Sequence, residues 1–185
     1  MVARPVRRAL PALAAVAAIG YLVVMVVTGA LPQSRQRVQF EARGVMQLAP
    51  EGIVRVDLAR GPDRAVLVRD AGGGWTRQGG EPLPAPLAEK LALAVQYMHT
   101  AAPVRVLTPA ELAGTDARAF GLDRPALAVG LSAASGPVIG ARFGGRNPDD
   151  MLQYMAIDGR TDVVLMSRFV GEEWRAVAEG VFGAR

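Results

Sequence analysis

The chain has 185 residues, 51% of them hydrophobic, with no cysteine, one histidine and a formal net charge of +4. That length holds one ordinary domain beyond an N-terminal segment, and the missing thiols exclude disulfide frameworks, cysteine nucleophiles, iron–sulfur clusters and thiolate zinc. The single histidine, His99, excludes a multi-histidine metal site. Arg4, Arg7 and Arg8 supply three of the four net charges and leave +1 for the rest, so the basic balance is mainly a topological signal and no nucleic-acid partner is expected.

From Ala9 to Leu31 no charged residue occurs, and Tyr21, Leu22, Val23, Val24 and Met25 make the second half strongly apolar. At ~1.5 Å per residue a helix of that length crosses the roughly 30 Å hydrocarbon core of a bilayer. The run has no polar face, which argues against a soluble helix. The three arginines on one flank retain the N-terminus in the cytoplasm by the positive-inside bias. Residues 1–8 therefore read as a cytoplasmic tail, 9–31 as a single-pass anchor in a bacterial inner membrane, 32–44 as a polar stalk, and 45–185 as a periplasmic α+β domain. A cleaved signal peptide is the competing reading, but Thr28-Gly29-Ala30 matches an A-x-A site poorly and the run exceeds a usual h-region.

Short strands with turn punctuation follow. Ile53, Val54, Val56 and Leu58 lead into Gly61-Pro62-Asp63, and Ala65 to Val68 return as a hairpin partner. Gly72-Gly73-Gly74 lacks the Lys-Ser/Thr and the helix of a phosphate loop and reads as a turn before Trp75. Pro84 and Pro86 open an amphipathic helix whose stripe is Leu87, Leu91, Ala94, Val95 and Met98. His99, at its end, is expected to meet the helix's own last carbonyls or solvent. A brief strand at Val104, Val106 and Leu107 precedes Thr108-Pro109-Ala110-Glu111, a capping box with proline at the first helical position. Beyond Phe120-Gly121-Leu122-Asp123-Arg124-Pro125, alternation places strands around Leu127–Leu131, Ile139–Phe143, Tyr154–Ile157 and Val163–Met166. Phe169, Val170, Trp174, Val177, Ala178 and Val181 then recur at helical spacing. The order ββ-α-β-α-ββββ-α implies an α+β fold with a largely antiparallel sheet and two or three helices. Val56, Val66, Trp75, Leu91, Val95, Leu127, Val129, Phe143 and Trp174 are the expected core.

Ile53-Val54-Arg55-Val56-Asp57-Leu58, Gly73-Gly74-Trp75 ending the second strand, and above all Phe120-Gly121-Leu122-Asp123-Arg124-Pro125 resemble the bacterial domain of unknown function called DUF 4340. Its members usually carry Tyr-Gly-Leu-Asp-x-Pro, so Phe120 departs from the pattern, whereas Tyr154 in a later strand fits it. The likeness runs from about Met46 to Val181. It implies an N-terminal membrane anchor and association with ABC-type exporter components of the kind linked to gliding motility; it implies no activity or catalytic residue.

In physical terms, Gly121 is expected in a left-handed conformation at a helix end, with Pro125 starting a strand and Asp123 accepting backbone amides in the turn. Trp75, Phe120, Gly121, Leu122, Asp123, Pro125 and Tyr154 are thus candidate structural or interface residues. Asp149-Asp150 is the only conspicuous carboxylate pair and reads as a solvated loop, since adjacent side chains diverge. No catalytic residue, cofactor or metal is expected. The favoured reading is a non-enzymatic accessory or assembly subunit of an inner-membrane complex, bound to the bilayer through residues 9–31 and to a membrane protein through its domain. A periplasmic lipid- or polysaccharide-binding module is the alternative, and hydrolase-like chemistry the weakest.

Overall fold

The computed structural model describes residues 6–25 and 43–183, and the chain divides into two compact units, Met1–Glu41 and Ala42–Arg185. In the first unit, helix α1 spans Val6–Met25. Tyr21, Leu22, Val23, Val24 and Met25 are all exposed. Consecutive helical residues step by ~100°, so these five run right around the C-terminal end of the helix. Among the described residues no helix is long and apolar enough to cross a membrane. Residues 26–31 of the expected anchor and 32–42 of the expected stalk lie outside the described residues.

The second unit is built on eight antiparallel strands. β1 (Ile53–Arg60) and β2 (Asp63–Arg69) form a hairpin through Gly61, which sits at φ 57°. A third strand, β3 (Trp75–Arg77), pairs back onto β2, with Trp75 opposite Arg69. Helix α2 (Ala85–Thr100) follows, then β4 (Arg105–Leu107) and the one-turn helix α3 (Pro109–Leu112). The remaining strands are β5 (Leu127–Ala133), β6 (Gly136–Arg146), β7 (Leu152–Ile157) and β8 (Val163–Ser167), and α4 (Arg168–Phe182) closes the chain. Across the sheet the order is β3-β2-β1-β5-β6-β7-β8-β4. The α+β class with an antiparallel sheet is therefore as expected.

β3 corrects the expected order, which had only two strands before α2 and put Trp75 at the end of the second. The Asp70 carboxylate accepts from the Gly72 and Gly74 amides at 2.8 and 2.9 Å. That turn reverses the chain, and Trp75 begins a new strand too short to show any alternation.

One face of the sheet carries the main core. Alternate residues such as Val56 and Leu58, Leu127 and Val129, Ala141 and Phe143, and Met155 and Ile157 pack with α2 and α4 through Leu91, Val95, Met98, Val170, Trp174 and Val177. Eight of the nine expected core residues are buried. Val66 is the exception: Ala65 and Leu67 fill the core and Val66 takes the opposite face. Four consecutive apolar residues there give no alternation to read. Phe169 likewise leaves the α4 stripe, being exposed with its ring 4.9 Å from that of Tyr97 on α2. His99 meets neither its own helix end nor solvent alone; its Nδ1 lies 3.0 Å from the Met46 carbonyl, where residues 44–46 bond to the end of α2. The opposite sheet face holds a smaller cluster, Leu122, Ala156 and Val163, with Leu107, Leu112, Phe120 and Tyr154 against it.

Candidate functional site

The segment Phe120–Pro125 is a corner held from both ends. Asp116 caps a 3-10 turn, Ala117–Phe120, by accepting from the Arg118 amide at 2.9 Å. Gly121 ends that turn in the left-handed region, φ 65° and ψ 24°, donating to the Arg118 carbonyl at 3.0 Å. Here glycine serves two needs. It takes the positive φ without strain, and its missing side chain lets the corner lie on β6, because a Cβ would stand 2.8 Å from the Gly145 nitrogen. Gly144 answers from the strand: a Cβ there would overlap the Phe120 carbonyl oxygen and come within 2.9 Å of Leu122. Leu122 is buried in the smaller cluster, and Phe120 lays its ring against Tyr154, centroids 4.9 Å apart at 59°.

The structure thus brings Phe120, Gly121, Leu122 and Tyr154 together, with Gly144 and Gly145 as partners that the sequence did not single out. Their signal was the glycine pair at the end of an alternating strand, where a close backbone approach is a standing reason for the residue. Trp75 is not part of this assembly. It lies in the main core, with the Arg69 guanidinium 4.9 Å above its ring. Tyr21, Leu22, Val23, Val24 and Met25 belong to the other unit.

Asp123 departs from expectation. Instead of accepting turn amides, it is exposed and faces Arg118 Nε at 3.9 Å, because Asp116 and backbone carbonyls already serve the turn. Pro125 is half-buried and lines an open depression with Arg60, Arg64 and Arg124.

The Asp149-Asp150 loop is exposed, as expected, but it is held by specific contacts. Asn147 Oδ1 accepts from the Met151 and Leu152 amides at 3.0 and 2.8 Å. Asp150 is held at φ 57°, the one described non-glycine residue at positive φ. Its carboxylate lies 2.9 Å from Arg146 and 3.0 Å from Arg168, and both arginines reach Glu172 at 3.1 and 3.3 Å. The Arg146 hydrogen bond holds the Asp150 carboxyl below its ordinary range. At the capping box, the Thr108 amide and then the Arg105 side chain bring Glu111 down to about 2. Asp150, Glu172 and Glu111 are thus each met by an arginine. Among the described residues no cluster of three or more His, Asp or Glu side chains is placed to hold a metal ion.

The fold and corner define an α+β protein with an open, eight-stranded antiparallel sheet, helices over one face and a glycine-seated corner on the other. No family model, curated protein or solved structure matches the chain.

Proposed function

We propose that the protein is a non-enzymatic accessory subunit of a bacterial inner-membrane complex, anchored by residues 9–31 with its N-terminus in the cytoplasm and its folded unit in the periplasm. The observation that carries this reading is the charge-free run from Ala9 to Leu31 behind Arg4, Arg7 and Arg8. The exposed apolar side chains from Tyr21 to Met25, at the C-terminal end of α1, are what a lipid-facing helix presents.

Assembly with a partner is favoured by the sheet's free margin. β4 is the terminal strand, and Val106 within it and Val104 just before it are exposed, 39% and 60%. An unpaired strand edge flanked by apolar side chains accepts an extended segment of another chain by adding it to the sheet. The likeness to DUF 4340 supplies the class of partner, an ABC-type exporter. The open basic depression at Arg60, Arg64 and Arg124 favours the second reading, an anionic lipid or polysaccharide as ligand.

Two experiments test the proposal. A reporter fused after Arg185 should be active only when exported, and the purified protein should begin at Met1 or Val2; an N-terminus near Leu31 refutes the anchor. Affinity purification in mild detergent followed by mass spectrometry should recover a membrane transporter subunit, and Asp123→Ala asks whether the corner touches it. Because Asp123 makes only an exposed ion pair, the variant should be within about 0.5 kcal/mol of the parent. A folded variant that loses its membrane partners makes the corner an interface; one that keeps them leaves it a structural element, with the partner at β4.

A further inference from the structure

Where α4 crosses the ends of β1, β5, β6 and β7 lies a cavity of about 210 Å³, lined by Arg60, Leu127, Phe143, Gln153, Arg175 and Glu179 among others. Leu127 and Phe143 make its floor apolar. Gln153, 3% exposed, is the one buried polar residue among the described residues. Its Nε2 donates to the Gly144 carbonyl at 2.9 Å, which turns Oε1 toward α4. There Gly171 leaves room for it, since a Cβ would overlap that oxygen. Oε1 accepts no hydrogen bond from the described residues.

Arg60 supplies the complementary wall. Its Nη1 is fixed on the Gly183 carbonyl at 2.9 Å and its guanidinium rests 5.1 Å from the Phe182 ring, while Nε is buried without a partner among the described residues. A buried donor that no described residue meets and the amide of a nearly buried glutamine line one small space, and a buried donor is rarely left so without something to receive it. At the mouth, Arg175 and Glu179 stand one helical turn apart and both are exposed. Neither pairs with the other or with any described residue; cation before anion is the less favourable order for an i,i+4 pair. The rim therefore offers one free charge of each sign.

We propose that this cavity binds a small zwitterion, an α-amino acid with an aliphatic side chain. Its carboxylate is received by Arg60 Nε–H and Arg175, its ammonium by Gln153 Oε1 and Glu179, and its side chain by Leu127 and Phe143. A plain carboxylate leaves Glu179 and Gln153 unused, and a plain amine leaves both arginines unused.

The test is titration calorimetry on the full chain in lipid nanodiscs, with L-leucine, 4-methylpentanoate and isoamylamine as probes. Leucine should bind, and each probe that lacks one charged group should bind about tenfold or more weakly, as expected for a lost charge-assisted hydrogen bond. Arg175→Gln should weaken leucine about tenfold and leave isoamylamine unchanged. Glu179→Gln should weaken leucine similarly and leave 4-methylpentanoate unchanged. Both residues are exposed, so circular dichroism should show intact folds. Absence of leucine binding, equal binding of leucine and 4-methylpentanoate, or indifference to both substitutions would overturn the proposal.

Discussion

Gly121→Ala tests the seating of the corner on the sheet, and Gly114→Ala is its internal control. Both glycines have positive φ, 65° and 82°, but a Cβ at Gly114 meets nothing within 4 Å whereas one at Gly121 stands 2.8 Å from the Gly145 nitrogen and 3.4 Å from its Cα. A Cβ in the left-handed region costs roughly 1–2 kcal/mol by itself. Pushing it into the β6 backbone, at the irregularity between Phe143 and Arg146, adds about 1–3 kcal/mol, since Gly145 cannot rotate away as a side chain could. Gly114→Ala should therefore lose about 1–2 kcal/mol and Gly121→Ala about 2–5 kcal/mol. Urea denaturation followed by tryptophan fluorescence measures both, because Trp75 and Trp174 are buried in the same core. Gly144→Ala attacks the same contact from the strand, so combining it with Gly121→Ala should fall short of additivity by at least about 0.5 kcal/mol. Equal losses for Gly121→Ala and Gly114→Ala would refute the docking argument and leave only backbone strain.

Trp174 is fully buried and its Nε1 has no partner among the described residues. Trp174→Ala should cost about 3–5 kcal/mol, whereas Trp174→Phe should lose much less by removing the unmet donor with part of the volume; equal losses would show that the indole N–H carries no penalty. Gly171→Ala should drive Gln153 off the Gly144 carbonyl and lose about 1–3 kcal/mol in the same denaturation assay, and a neutral result would mean the amide has another seat. Glu111 sits at about 2 because the Thr108 amide and Arg105 favour its carboxylate. A depressed folded value means that its contribution is full above the unfolded pKa of about 4.3 and fades as pH falls through about 2. The Thr108 amide resonance should therefore stay in place through pH 4 and move only near 2; a midpoint near 4 would sink the capping assignment.

Local chemistry was legible where a residue's partners lie within a few positions. The Thr108–Glu111 box, the Leu91–Met98 stripe and the left-handed Gly121 all follow from rules that act within a turn or two, and all are present. Partners distant in sequence were the hidden part. Gly144 reads as one more loop glycine until Phe120 lies on it, and Asp150 as a solvated acid until Arg168 of α4 reaches it. Val66 shows a different limit: within Ala65-Val66-Leu67-Val68 hydrophobicity marks the strand but not its phase, which is set by pairing with β1 and β3. Composition could say that Gln153 is polar; only the fold buries it beneath α4.

The pairing of β4 with β8 sets a schedule for the nascent chain. Arg105 faces Leu165, and 165 − 105 = 60 residues must be added before that ladder can close. At about 5–20 residues per second the wait is roughly 3–12 s. β1, β2 and β3 can zip together early, being neighbours in order. α2 has no such option, because Val170, Trp174 and Val177, which share the core with Leu91, Val95 and Met98, arrive in the last helix. Until then an apolar helix face and an unpaired strand stand open, so a ribosome stalled or a protease cutting before α4 releases an aggregation-prone fragment rather than a slightly shortened protein.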